Sequence, residues 1–482
     1  MSADGTIRFL KAGRVETVTD FDPTMTVLGF LRGRGLTGTK EGCAEGDCGA
    51  CTVVLGEPEG DSIRYRAVNA CILFLPTLDG KQLITVEDLK ASDGSLHPVQ
   101  KAMVDAHGSQ CGFCTPGFVM SLFALFHEEK AEIHREMACR ALAGNLCRCT
   151  GYRPILEAAG RMTEGGRIDQ FSLAEPETAV RLRDLRRERS LFLNGYHAPA
   201  TMEELGGLLA DHPDACLLAG GTDVGLWVTK QHRELDRIIY LGGVKELARV
   251  EEVGGALHIG AGATYADILP CVEARFPTFG DLLVRLGSAQ IRNSGTMGGN
   301  VANGSPIGDS MPALIALGAR IVLNRRGERR EPALEDFYLD YRKTALEAGE
   351  FVEKLIVPLL PDGRRFATWK VSKRIDQDIS AVAVGFLLEL DDEGRVAAFR
   401  AAYGGMAATP RRATAVEETL IGRPWTLETV TESMAALDRD FQPLSDMRAS
   451  DRYRSMVARN LLMRFYLETA EGPARLNEVT HG

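Results

Sequence analysis

Thr39-Lys40-Glu41-Gly42-Cys43-Ala44-Glu45-Gly46-Asp47-Cys48-Gly49-Ala50-Cys51-Thr52-Val53 carries three cysteines in a Cys-x4-Cys-x2-Cys spacing, and Cys71 supplies a fourth downstream. That is the spacing of plant-type 2Fe–2S ligation. The glycines suit such a site. Gly42, Gly46 and Gly49 let the loop take positive φ and wrap closely, so that amide N–H groups can point at sulfur and tune a reduction potential. Four unconnected core thiols would not sit in so glycine-rich a loop. Around it the pattern is β-rich. Thr6–Leu10 and Val15–Val18 alternate across a turn at residues 11–14, Val27–Leu31 reads as a short apolar helix, and Thr52–Leu55 and Leu83–Val86 read as strands. Residues 1–90 are expected to form one small 2Fe–2S module.

Over residues 91–160 the pattern turns helical. Thr115-Pro116 is a helix start, with Thr as N-cap and Pro at the first position. Phe118, Leu122, Leu125 and Phe126 then share a face, and a helix over 131–143 stops at Gly144-Asn145. Cys111-x2-Cys114 precedes the first helix and Cys147-x-Cys149 follows the second. Four thiolates there could hold a second iron–sulfur cluster near a helix N-terminus, or a zinc ion; spacing alone leaves both open. Cys139, Cys216 and Cys271 have no near partner and are expected as buried thiols. Nine of the eleven cysteines precede residue 150, a clustering that in a long cytoplasmic chain means metal ligation rather than disulfides.

With 45% hydrophobic and 25% charged residues, a chain of 482 is neither disordered nor fibrous and has room for several cores. A net charge of −10 argues against a broad nucleic-acid or anionic-membrane surface. No apolar run reaches the ~18 residues of a membrane span. Met1–Gly5 has no signal-peptide core, so a cytoplasmic location is expected. Residues 161–195 read as a linker, with the charge-rich Arg181–Arg189 as a solvated face. Residues 196–361 alternate strands and helices. The remainder, 362–482, opens with a hairpin, Ala381–Leu390 and Val396–Tyr403, and continues in amphipathic helices to about residue 470.

Two glycine turns punctuate the middle: Leu217-Leu218-Ala219-Gly220-Gly221-Thr222-Asp223-Val224, and Gly295-Thr296-Met297-Gly298-Gly299-Asn300 followed by Ser305–Asp309. Such turns can present consecutive N–H groups to a pyrophosphate, or they are simply tight turns of an α/β domain. Gly260-Ala261-Gly262 is no dinucleotide fingerprint, because Tyr265 occupies the small-residue position. Lys370–Asp378, taken alone, is as readily a surface charge run as a binding element.

Three strings carry a resemblance: Thr39–Val53, Gln110-Cys111-Gly112-Phe113-Cys114-Thr115-Pro116-Gly117, and Gly144-Asn145-Leu146-Cys147-Arg148-Cys149-Thr150-Gly151-Tyr152. With them the chain resembles the small, iron–sulfur/FAD subunits of bacterial xanthine dehydrogenases, in the molybdenum hydroxylase family. The likeness continues to the end of the chain. It implies an α+β multidomain fold: a β-grasp ferredoxin domain, a four-helix 2Fe–2S domain, an α/β FAD-binding domain and a C-terminal α+β domain. It implies two 2Fe–2S clusters, one on Cys43, Cys48, Cys51 and Cys71, the other on Cys111, Cys114, Cys147 and Cys149.

The same resemblance implies FAD on Leu217, Leu218, Ala219, Gly220, Gly221, Thr222, Asp223 and Val224, on Thr296, Gly299, Asn300 and Asp309, and on Leu286, Val352 and Lys370. Leu286 stands where the animal enzymes have Phe, and Asn303 where they have Thr. Lys370–Asp378 becomes a cationic rim of the flavin site. The chain holds no HExxH and no GxSxG, and its nine histidines are scattered, so no catalytic residue is expected in it. The resemblance places hydroxylation at a molybdopterin centre on a separate large subunit, in a dimer of heterodimers. Electrons from hypoxanthine or xanthine would then pass through the clusters to FAD and on to NAD+. An aldehyde or N-heterocycle dehydrogenase of the same family is the neighbouring implication.

Overall fold

The N-terminal alternation becomes a hairpin. Thr6–Lys11 pairs antiparallel with Arg14–Thr19 across Ala12 and Gly13, both at positive φ, the turn geometry that matches strand twist. The structure, a computed structural model, describes residues 5–128 and 132–470. The expectations for Met1–Gly5 and for a helix beginning at residue 131 fall partly outside that range. Thr6–Lys11 also pairs in parallel with Gln82–Ile84, and the sheet continues through Thr52–Glu59 to Ser62–Asn69. The helix Val27–Gly33 lays Val27, Leu28, Phe30 and Leu31 into the same core as Ile7, Phe9 and Val53. This is the expected β-grasp arrangement. Ser62–Asn69 is a further strand, with Ile63, Tyr65 and Ala67 buried on one face and Arg64 and Arg66 on the other.

Four helices follow: Pro98–Asp105, Thr115–Glu128, Arg135–Leu142 and Arg153–Arg161. Phe118 N donates to the carbonyl of Cys114, so Cys114 holds the cap position and Thr115 is already helical. The Thr115–Glu128 helix does not have one apolar face. Every residue from Gly117 to Phe126 is buried, because the helix is enclosed by the sheet on one side and by helical neighbours on the other. Cys139 is exposed, not buried, since its helix turns Ala138 and Leu142 inward instead. Cys216 and Cys271 are half-buried rather than core residues.

The segment expected as a linker is structured. Gln170–Leu185 is a helix capped by Asp169, and Ala179, Leu182 and Leu185 pack into the core shared by the four helices and the outer sheet face. Its arginines are not simply solvated: Arg183 donates to Gly60 O at 2.6 Å, and Arg187 pairs with Asp79 at 2.6 Å.

The described residues fall into two compact units. The first comprises the chain up to Glu246 together with Gly287–Gly295. Besides the parts above it holds a small sheet, in the order Leu191–Leu193, Tyr196–Ala198, Ile238–Tyr240 and Cys216–Leu218. Leu191, Tyr196, Leu218 and Ile238 of this sheet join the ferredoxin core. The second unit, Leu247–Leu286 and Thr296 onward, holds a five-stranded sheet and a four-stranded one. The five-stranded sheet runs Val250–Val253, Ala256–Gly260, Phe351–Pro358, Arg320–Arg325 and Glu328–Arg330. In the other, the long hairpin Val382–Leu390 and Val396–Gly404 packs on the helices Leu427–Asp440 and Asp451–Ala470 around Phe386, Tyr403 and Phe465. Among the described residues no helix is long and apolar enough to cross a membrane.

Leu182 is fully buried. Leu182→Ala is expected to cost about 2–5 kcal/mol, read as a lower urea midpoint; a solvated linker would leave the midpoint where it is.

Candidate functional site

Cys43, Cys48, Cys51 and Cys71 converge in the first unit. Their thiols hydrogen-bond one another, Cys43 with Cys48 and Cys71, and Cys71 with Cys51. The Cys43 Sγ also accepts the backbone N–H groups of Glu45, Asp47 and Cys48 at 3.4, 3.3 and 3.3 Å, and Cys51 Sγ faces Asn69 Nδ2 at 3.8 Å. The loop allows this because Gly46 and Gly49 sit at φ +80° and +69°, and because a Cβ on Gly42 would stand 2.7 Å from Cys48 Sγ. Hydrogen bonds from neighbouring thiols draw Cys43 and Cys51 below the usual thiol range and push Cys48 and Cys71 above it. Four thiols this crowded cannot ionise together unless cations lie among them, which is the demand of a metal-binding donor set.

Cys111, Cys114, Cys147 and Cys149 also meet, Cys111 with Cys149 and Cys114 with Cys147. Burial, and then the Cys147 thiol, push Cys114 up to about 12. Burial acts upward on Cys147 too, but the Thr150 hydroxyl at 3.2 Å and amide at 3.5 Å outweigh it and lower that thiol. Cys111 and Cys149 are exposed, and so are Phe113, Leu146 and Tyr152 on the same loops. Cys139 takes no part.

The two sulfur loops touch. Leu146 N donates to the carbonyl of Cys48 at 3.0 Å, and Asn145 Nδ2 to that of Gly49 at 3.1 Å. A Cβ on Gly117 would stand 2.1 Å from Gly49 O.

The residues expected to meet a flavin are divided between the units. In the first, Leu217 and Leu218 end the strand Cys216–Leu218, Ala219–Thr222 form the turn with Gly221 at φ +72°, and Asp223 caps the helix Val224–Thr229. A Cβ on Gly220 would lie 1.8 Å from Ser294 O, and one on Gly225 2.6 Å from Ile72 O, beside Cys71. Among the described residues, the amides of Gly220, Gly221 and Thr222 donate to no backbone carbonyl, so this turn has donors to offer.

In the second unit the other glycine stretch is not a turn. Thr296 caps the helix Met297–Asn303 by accepting from Gly299 N at 3.1 Å, and Gly298 and Gly299 are helical. The glycine at 298 serves close packing instead, since a Cβ there would lie 2.4 Å from Ala261 Cα. Asn300 Oδ1 accepts from Ser310 Oγ at 2.9 Å. Asp309 and Lys370 are brought together at 2.6 Å, with Ser380 Oγ on the other carboxylate oxygen. Lys370 is therefore no rim cation: its side chain is 2% exposed, on the strand Arg365–Val371. Val352 is buried on Phe351–Pro358, and Leu286 is half-buried after the helix Pro277–Val284.

The structure also gathers His97, His127 and Asp169, which no sequence spacing relates. Asp169 Oδ2 receives His97 Nε2 at 2.5 Å and His127 Nε2 at 3.1 Å, all three side chains being nearly inaccessible. Val99 N donates to His97 Nδ1, which leaves Nε2 carrying the proton that Asp169 receives. His97 Nε2 thus has no lone pair for a metal ion, and the trio is a hydrogen-bonded clamp. Burial would raise the Asp169 carboxyl, but the bonds from His127 and His97 outweigh it and hold it far below the usual range.

Four family models match in order: a 2Fe-2S iron-sulfur cluster binding domain over residues 11–75, a 2Fe-2S binding domain over 85–160, the FAD binding domain in molybdopterin dehydrogenase over 189–360, and the CO dehydrogenase flavoprotein C-terminal domain over 367–469. The xanthine dehydrogenase of Emericella nidulans is 31% identical over 96% of this chain and 38% of its own length. That of Drosophila pseudoobscura pseudoobscura is 33% identical over 88% and 36%, and xanthine dehydrogenase 1 of Arabidopsis thaliana 30% over 92% and 38%. The chain spans less than two fifths of the length of these relatives.

Among solved structures, a carbon monoxide dehydrogenase from Hydrogenophaga pseudoflava that lacks the Mo-pyranopterin moiety is 29% identical, with a TM-score of 0.53 over 56% of this chain and 94% of that chain. Quinoline 2-oxidoreductase from Pseudomonas putida 86 is 25% identical, with a TM-score of 0.53 over 57% and 96%. The chain thus contains two 2Fe–2S domains and an FAD-binding domain, and zinc is set aside for the second cysteine set.

The Asp169 clamp sets a pH dependence. Because its folded value lies below that of an unfolded Asp, it contributes stability above about pH 4, and that contribution is lost as pH falls toward the folded value. Asp169→Asn keeps a capping oxygen for Ser172 N but weakens both histidine bonds. It is expected to cost about 1–3 kcal/mol at pH 7, with the gap from wild type closing below pH 4 in denaturant melts.

Proposed function

With the two 2Fe–2S domains and the FAD-binding domain of the molybdenum hydroxylase family as its make-up, the chain is, we propose, the electron-carrying subunit of a xanthine dehydrogenase. It would take electrons from a molybdopterin centre on a partner subunit, where hypoxanthine or xanthine is oxidised toward urate, and deliver them to NAD+. The observation that carries this reading is the pair of four-thiol sets joined through Cys48 O and Leu146 N in a chain that also has a flavin domain. When bound, the clusters supply one-electron chemistry and FAD two-electron chemistry, so single electrons can be collected and leave as a pair.

The residues divide the work. Cys43, Cys48, Cys51 and Cys71 would hold the first cluster, and the amides of Glu45, Asp47 and Cys48 would stabilise negative charge on the Cys43 sulfur. Cys111, Cys114, Cys147 and Cys149 would hold the second, with the Thr150 hydroxyl and amide doing the same at Cys147. The free amides of Gly220, Gly221 and Thr222 would receive the FAD pyrophosphate. Thr296, Gly299, Asn300, Asp309, Leu286, Val352 and Lys370 complete the proposed flavin contacts. The exposed Phe113, Leu146 and Tyr152 around the second set are left for a molybdopterin-binding large subunit, in a dimer of heterodimers. Free thiols in this number fit a reducing, cytoplasmic compartment.

A second reading, an aldehyde or N-heterocycle dehydrogenase of the same family, draws on the likeness to carbon monoxide dehydrogenase and quinoline 2-oxidoreductase structures. Xanthine dehydrogenase is favoured because relatives of that name align with this chain through all four domains as one polypeptide.

The test is copurification with a genetically linked large subunit, followed by metal analysis and a substrate panel. About four iron atoms per chain are expected, with bound FAD and NAD+ reduction by xanthine. A Cys48→Ala chain should keep about half the iron. A colourless chain holding zinc would overturn the redox reading. Xanthine oxidation with oxygen or a quinone but never NAD+ would overturn the acceptor. Turnover of aldehydes or N-heterocycles but not purines would establish the second reading.

A further inference from the structure

Gln290 lies far in sequence from both sulfur loops, on the short helix Ala289–Arg292, yet its side chain is 1% exposed and reaches the place where those loops meet. Its Nε2 faces three oxygens: Ser121 Oγ at 3.0 Å, Asn145 Oδ1 at 3.0 Å and Thr52 Oγ1 at 3.3 Å. Each of the three belongs to a different sulfur-bearing element. Thr52 follows Cys51, Ser121 stands about two turns into the helix that follows Cys114, and Asn145 precedes Cys147 by two residues. Ser121 Oγ also donates to Asn145 Oδ1 at 2.7 Å, while Asn145 Nδ2 donates to Gly49 O. Gly144 is bare where Gln290 arrives, since a Cβ there would stand 2.1 Å from Gln290 Oε1. The helix is itself pinned to the sheet by Asn293 Nδ2, which donates to Ala67 O at 2.9 Å.

We infer that Gln290 is a positioning residue for electron exchange between the two clusters, resting on the proposed two-cluster reading. Its carboxamide ties Thr52, Ser121 and Asn145 into one junction and so fixes the separation of the two sulfur sets. Because electron tunnelling falls exponentially with distance, a residue that holds this separation governs the rate at which one electron leaves a reduced cluster for an oxidised one. A carboxamide is suited to this role because it donates where three oxygens converge, which neither an apolar side chain nor a carboxylate can do.

The test uses the full chain, reduced with dithionite and examined by low-temperature electron paramagnetic resonance, where two nearby paramagnetic clusters split each other's signals. Gln290→Met keeps the volume and removes the donor. It is expected to retain iron and FAD but to lose or narrow the intercluster splitting, with a shift in the midpoint potential of the first cluster. Ser121→Ala, which removes one partner of Gln290, is expected to shift the same two readouts less, and it carries the test if Gln290→Met fails to fold. A fully loaded Gln290→Met with wild-type splitting and potentials would overturn the assignment. If wild type itself lacked two distinct 2Fe–2S signals, the two-cluster reading would fall instead.

Discussion

At Gly49 three backbones meet with no side chain between them. Its carbonyl takes the approach of Gly117, where a Cβ would stand 2.1 Å away, and its own missing Cβ would stand 2.3 Å from the carbonyl of Gly144. The rest of the iron–sulfur half depends on this contact. Gly117 lies in the first turn of the Thr115–Glu128 helix, where glycine costs about 1 kcal/mol relative to alanine. Burial of the ten residues from Gly117 to Phe126 offsets that cost many times over. A larger residue at either position would wedge the helix off the first sulfur loop. It would separate the Cys48 carbonyl from the Leu146 amide, the one backbone hydrogen bond that joins the two ligand sets among the described residues.

The polar groups around that contact are as constrained as the glycines. Thr52, Ser121, Asn145 and Gln290 are all buried, and the network among them is neutral. In a low-dielectric interior the bonds of such a network fix the orientation of the Asn145 amide, Nδ2 toward Gly49 and Oδ1 toward Ser121 and Gln290, while the Gln290 Oε1 is left buried without a partner among the described residues. The His97–Asp169–His127 clamp does a comparable job with a charge, tying the start of the Gln170–Leu185 helix to the helical 2Fe–2S domain. The neutral network sits beside the sulfur loops and the charged one away from them, so the network adds no fixed side-chain charge at the point where two anionic sulfur sets approach.

Short-range chemistry makes much of this legible. The cysteine spacings, the positive φ of Gly46 and Gly49 and the two-residue turn of the N-terminal hairpin are set by local geometry, and the structure realises each; Gly42 is not at positive φ and instead leaves room for the Cys48 sulfur. What escapes has one cause, contact between distant segments. Gln170–Leu185 reads like a linker because Arg181, Arg183 and Asp184 stand among Ala179, Leu182 and Leu185, and only the sheet beneath shows that face to be apolar. Cys139 reads like a core thiol on composition, while its helix turns other residues inward. Gly298 and Gly299 read like a turn, since glycine kept for close packing against Ala261 has the same letter as glycine kept for positive φ. Gln290, His97 and Asp169 carry no signal in their own neighbourhoods.

Lys370 is the most instructive of these cases, because its surroundings bear on where the chemistry can occur. In the sequence it opens a charged run and reads as a cation facing outward. In the structure its ammonium is enclosed with Asp309, whose second oxygen is taken by Ser380. A carboxylate with both oxygens engaged and a lysine buried against it are fixed in place by one another. The sulfur sets likewise offer ligands and not acid–base groups, and the buried histidines are held by Asp169. On these elements, then, the buried charges are fixed by their partners, which is the rigidity that holding and spacing redox centres, as proposed for this chain, requires.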